Sequence, residues 1–163
     1  MSEVFRKQVP IVATEYQIEN KAGVTRTKRT GTVPYELAVA TFDTAANDSA
    51  GVANTAIGAH GLGVYIPTKA IITRAWYDNV TAPDSAAHTA TIAIKIQNAN
   101  DLKTATLVSD ATFTTLGANE GVPDGTAAKM IKLTAVREIV VTTAVQVLTA
   151  GKLNIYVEYV LSD

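Results

Sequence analysis

The chain contains no cysteine, so disulfide cross-links and thiolate metal sites are both closed to it. Histidine is almost as scarce, with only His60 and His88. A hydrolytic triad would have to take its base from these two, and no Gly-x-Ser-x-Gly elbow carries a nucleophile. His60 sits among glycines and His88 in a polar turn, so both read as exposed loop residues. No His-x-x-x-His pair and no repeated Asp-x-Asp occurs, which removes the familiar metal motifs. Charge is sparse too, at 18% of residues, and so neutral a surface suits a chain that is covered by neighbours or copies of itself. A threonine-rich β-protein with a neutral exterior satisfies the same composition. No apolar run approaches the roughly 20 residues of a membrane span, and residues 1–7 lack the apolar core of a signal peptide. The expectation is a protein made and kept in a soluble compartment, with no membrane partner.

What the sequence does have is length for one ordinary domain, which buries roughly 70% of its unfolded surface. Alanine, valine, threonine and isoleucine dominate its 163 residues. Net charge is −1, but it is unevenly spread. Residues 1–31 carry Arg6, Lys7, Lys21, Arg26, Lys28 and Arg29 against Glu3, Glu15 and Glu19, a net +3 on an otherwise acidic body.

Taken in order, residues 1–34 show no 3.6-residue stripe, and Pro10 and Pro34 oppose helix. They read as an extended N-terminal arm, ahead of a single domain over 35–163. Residues 35–42 alternate, with Leu37, Val39 and Thr41 on one side and Ala38, Ala40 and Phe42 on the other. Residues 43–63, rich in Ala, Asn, Asp, Ser and Gly, read as a long loop. A strand over 70–80 holds Trp76, a turn follows at 81–87, and 89–98 is a strand with Ile92, Ile94 and Ile96 inward. Residues 100–117 read as mixed loop with a short helix over 102–108, although another strand fits there as well; 117–125 is a loop with a tight turn and 127–134 a strand or bend. The runs 138–146 and 152–160 alternate and are separated by Leu148-Thr149-Ala150-Gly151, which predicts a β-hairpin. In the second run Leu153, Ile155, Val157 and Tyr159 face one way and Asn154, Tyr156, Glu158 and Val160 the other, so a second sheet must cover the first set. Seven or eight short strands with turns between them make an antiparallel β-sandwich, of jelly-roll or immunoglobulin-like kind, and the jelly-roll is the favoured form.

Candidate chemistry is thin. Asp43, Asp48, Asp84, Asp101, Asp110 and Asp124 fall in or beside turns, where backbone hydrogen bonding accounts for them as well as calcium does. The stretch from Gly58 to Gly63 offers only Gly-x-Gly, and no helix pattern follows it, so no dinucleotide site is expected. Asn47 and Asn79 begin glycosylation triplets that mean little without a secretory route. The cluster from Arg26 to Arg29 lacks interleaved aromatics and belongs to an acidic chain. An acidic protein partner therefore suits it better than nucleic acid. No cofactor, metal or catalytic residue is expected.

Four phrases carry a resemblance: residues 69–80 (KAIITRAWYDNV), 93–102 (AIKIQNANDL), 120–130 (EGVPDGTAAKM) and 148–159 (LTAGKLNIYVEY). Over roughly residues 64–160 the chain resembles small virion structural proteins of tailed bacteriophages, the β-sandwich proteins of decoration (cement) or head-fibre kind. The resemblance implies a non-enzymatic protein on the outer surface of the virion capsid, made in the host cytoplasm, commonly a homotrimer, that clamps major capsid protein subunits. It also implies attachment through an N-terminal extension, which here points to Arg6, Lys7, Arg26, Lys28 and Arg29 as capsid-binding residues. The alternative is a tail, baseplate or receptor-binding sandwich that recognises a host glycan, for which Trp76 with Tyr77 is the candidate aromatic pair.

Overall fold

The computed structural model describes residues 35–162. Within them the chain is an antiparallel β-sandwich. One sheet has the order β1-β9-β3-β6, made from β1 (Glu36–Asp43), β9 (Leu148–Leu161), β3 (Ala70–Ser85) and β6 (Gly117–Asp124). The two-residue β7 (Ile131–Lys132) also pairs with β3. The other sheet has the order β2-β8-β4-β5, from β2 (Gly58–Ile66), β8 (Arg137–Ala144), β4 (Thr91–Lys95) and β5 (Lys103–Leu107). Setting the short β7 aside, the eight main strands run first-eighth-third-sixth in one sheet and second-seventh-fourth-fifth in the other. That double wrapping is the jelly-roll.

The alternation read from the sequence places the core. Ala40 and Phe42 of β1, Leu153, Ile155 and Val157 of β9, and Ile72, Ala75 and Tyr77 of β3 are buried from one side. Ile66 of β2, Ile92 and Ile94 of β4, and Ile139 and Val141 of β8 meet them from the other. Each large aliphatic or aromatic side chain buried this way stabilises the fold by roughly 1.5–3 kcal/mol.

The predicted C-terminal hairpin is not formed. β8 pairs with β2 and β4, whereas β9 pairs with β3 and lies beside β1 in the opposite sheet. Residues 145–147 cross from sheet to sheet, with Val145 at a φ of 73°. The supposed loop residues Leu148 and Ala150 are paired with Ser85 and Asp84. Gly151 opens no turn: at a φ of 147° it lets β3 come close, and a Cβ there would lie 3.0 Å from Pro83 Cα. The predicted turn at 81–87 gives way for the same reason, because β3 continues through Pro83 to Ser85 with register shifts against β9.

Three other expectations change. The stretch expected as a loop with a tight turn over 117–125 is strand β6 as far as Asp124, paired along β3. The loop predicted over 43–63 ends at Gly58, where β2 begins. Gly61 and Gly63 serve the strand, since Glu138 folds over Gly61 and accepts a 2.7 Å hydrogen bond from Gly63 N–H. The short helix expected over 102–108 lies further on, as α1 (Ala111–Thr114), and Lys103–Leu107 is strand. Asp110 fixes the start of α1, accepting from Thr112 N–H at 2.9 Å and from Thr112 Oγ1 at 2.7 Å. This one turn inserts Phe113 into the core, its ring 5.6 Å from that of Tyr77. Asn79, buried at 1% exposure, ties α1 to β3 by donating to Thr112 O (2.7 Å) and Thr115 O (2.8 Å).

Candidate functional site

The five capsid-binding candidates, Arg6, Lys7, Arg26, Lys28 and Arg29, lie outside the described residues. Within them, the residues first considered for chemistry turn out to be structural. His60 is buried, with Nδ1 3.1 Å from Asp48 Oδ2 and Nε2 2.8 Å from Ala56 O, which corrects its reading as an exposed loop residue. The strand alternation of β2 turns it inward, 6.2 Å from the Phe42 ring, and the ring pins the loop between β1 and β2. His88 is exposed as expected and bonds Asp84.

The aspartates are occupied by the backbone. Asp48 accepts from Val52 N–H (2.8 Å) and Ala50 N–H (2.9 Å), and Asp101 from the N–H groups of Ile96, Gln97 and Asn98. The Val52 N–H chiefly, with help from His60, holds the Asp48 carboxyl below its ordinary range. Asp43 is lowered by the Ala45 N–H and then by Lys152, and Asp124 by Lys129 and Thr126. Among the described residues no three His, Cys, Asp or Glu side chains converge as a metal site.

The feature with the geometry of a recognition site is the outer face of the β1-β9-β3-β6 sheet. Trp76 and Tyr156 are directly paired across β3 and β9, and their rings stack with centroids 5.3 Å apart and planes 7° apart. Tyr77, the partner expected for Trp76 from sequence, points into the core at 1% exposure. Arg74 stands beside the indole, its guanidinium carbon 5.9 Å from the ring centroid, and reaches Glu120 of β6 at 3.4 Å. Arg74, Trp76, Ala118, Asn119 and Glu120 line a shallow depression of about 210 Å³. Further along the face, Thr41 bonds Asn154 and Lys152 pairs with Asp43. That register places the exposed Val39 level with Tyr156.

Trp76 and the outward direction of Tyr156 were readable from alternation. Their meeting was not, because it depends on the register of β3 against β9. Arg74 and Glu120 carry no motif, and only the β3-β6 pairing brings them together.

No family model matches the chain, and no curated protein sequence does. Solved structures match its fold. A chain of the cyanophage Pam1 capsid asymmetric unit superposes with a TM-score of 0.56 at 18% identity, covering 88% of this chain and 98% of that one. A chain of the acid-stable capsid of Helicobacter pylori bacteriophage KHP30 gives 0.55 at 15% identity, covering 79% and 89%. One from the capsid of Ralstonia phage GP4 gives 0.52 at 18% identity, covering 85% and 92%. The sandwich described here is thus similar in fold, over most of its length, to three chains found in phage capsids.

Proposed function

We propose that the protein is a non-enzymatic structural component of a phage virion, a decoration, cement or head-fibre protein that binds the outer capsid surface as a homotrimer and stabilises the shell. The observation that carries this reading is the fold match to three phage-capsid chains, which spans 89–98% of those chains and so concerns whole proteins, not a shared fragment. The occupied aspartates and histidines agree with it, since each of those side chains has a bonding role in the fold. So do the exposed apolar residues on the sheet exterior, among them Leu37, Val39 and Val80, which suit a protein covered by neighbours.

Attachment is assigned to the net-basic N-terminal segment, with Arg6, Lys7, Arg26, Lys28 and Arg29 pairing with carboxylates of the major capsid protein. Several such segments on one trimer would hold firmly even where each is weak. Deleting residues 1–31 tests this directly, because it leaves intact the core of the described residues, which runs from Ala40 to Val157. The truncated protein should fold and keep its oligomeric state but fail to co-sediment with purified capsids. Equal capsid binding by the truncated protein refutes the assignment.

A further inference from the structure

We infer that the depression beside Trp76 is a saccharide site that takes a neutral sugar ring, a role separate from capsid attachment. The strand order builds it. Trp76 on β3 has β9 on one side and β6 on the other, and Tyr156 of β9 covers the indole from its own side. The stacked pair braces the indole and leaves its remaining surface toward β6, where the depression lies. At about 210 Å³ the depression has room for a single small ring. Ala118, exposed and small, keeps the floor low.

The lining matches the two-sided chemistry of a sugar. A pyranose offers polarised C–H bonds on its face, which suit the negative face of an indole, and hydroxyls on its rim. Arg74 and Glu120 stand at that rim with side chains 51% and 76% exposed, linked only by the long 3.4 Å contact. A pair this exposed is weakly held, so both groups are free to turn to hydroxyls. The guanidinium would donate to sugar oxygens, and the carboxylate would accept from neighbouring hydroxyls.

Charge rejects the other ligands that stack on tryptophan. Glu120, Asp124 and Glu158 neighbour Arg74 on the flanking strands, and Lys129 is paired with Asp124, so an anionic nucleotide meets three carboxylates against two cations. Arg74 lies over the indole, so any ring that stacks there must turn it aside toward Glu120, and a cationic ligand would in addition meet its charge. An apolar side chain would leave the Arg74 guanidinium and the Glu120 carboxylate with only their long 3.4 Å contact to each other.

Trp76 is the sole tryptophan, so emission excited beyond the absorption of the six tyrosines reports this site. The full chain is screened on an array of neutral glycans, then titrated in solution with the strongest binder and with the methyl glycosides of glucose, galactose, mannose and N-acetylglucosamine. The expected result is a saturable emission change, weakened about tenfold or more by Ala118→Leu, which fills the depression, and by Glu120→Gln, which removes an acceptor. Glu120 is exposed, so Glu120→Gln keeps the fold and serves if Ala118→Leu does not. Absence of a saturable change with any sugar overturns the inference, as does unchanged binding by Glu120→Gln together with a folded Ala118→Leu variant. Emission that shifts with protein concentration alone also overturns it, since a second copy would then be covering the indole.

Discussion

Replacing Asn79 should expose how α1 is held. Its Nδ2 donates to Thr112 O at 2.7 Å and Thr115 O at 2.8 Å, with a longer contact to Phe113 O at 3.3 Å, all in a place where Asn79 is 1% exposed. Asn79→Ala removes two good hydrogen bonds, at about 1 kcal/mol each, and strands Thr115 O at about 1–3 kcal/mol, whereas Thr112 O keeps a 3.3 Å hydrogen bond from the Tyr77 hydroxyl. Asn79 Oδ1 has no partner among the described residues, so deleting it returns on the order of 1 kcal/mol. The net loss is roughly 2–4 kcal/mol. For a domain of this size, at about 4 °C per kcal/mol, the melting temperature falls by roughly 8–16 °C. Asn79→Asp should be worse at neutral pH, because a carboxylate then faces carbonyl oxygens. Its deficit relative to Asn79→Ala should narrow on acidification, as the protonated acid regains a donor. The assay is thermal unfolding followed by near-ultraviolet circular dichroism. An alanine variant melting within about 2 °C of the parent, or an aspartate variant melting above it at neutral pH, would refute the reasoning.

Two further outcomes follow from the geometry. Asp43, Asp48, Asp84, Asp110 and Asp124 all hold their protons less tightly in the fold than the ordinary carboxylate value of about 3.9, owing first to the Ala45 and Val52 N–H groups, His88, the Thr112 N–H and Lys129 respectively. The unfolded chain therefore takes up protons first on acidification, so this stabilisation is complete above the carboxylate range and is lost as pH falls through it. Urea midpoints should hold level from neutral pH to about pH 5 and drop by about pH 3, and a midpoint that rises between those two acidic values would contradict the assignment. Gly151→Ala places a Cβ 3.0 Å from Pro83 Cα on a backbone with φ of 147°. It should cost on the order of 1–3 kcal/mol in equilibrium unfolding, and a neutral effect would mean the two strands do not approach as described.

The sequence revealed faces better than partners. Ile92, Ile94, Leu153, Ile155 and Val157 point inward as their alternation requires, because a period of two is set by the backbone alone. The hairpin failed because alternation says nothing of which strand lies alongside. Three residues, 145–147, suffice to cross between sheets once Val145 adopts a left-handed conformation that few β-branched residues take. His60 was misjudged because its neighbours are glycines, which in β2 make room for Glu138 instead of a flexible loop. The recognition face was half legible: Trp76 and Tyr156 are outward residues of strands 80 positions apart, and only the jelly-roll winding makes them adjacent. The attachment candidates were marked by charge asymmetry, a signal that owes nothing to folding.

The central claim is that a folded sandwich stands on the shell and is fastened through its basic leading residues. Cryo-electron microscopy of phage particles carrying the protein tests it most directly. Density for residues 4–29 threaded along major capsid protein subunits, with three sandwiches grouped outside the shell, is the predicted result. Sandwiches seated on the shell through the β1-β9-β3-β6 face, with those leading residues directed away from it, would contradict the account.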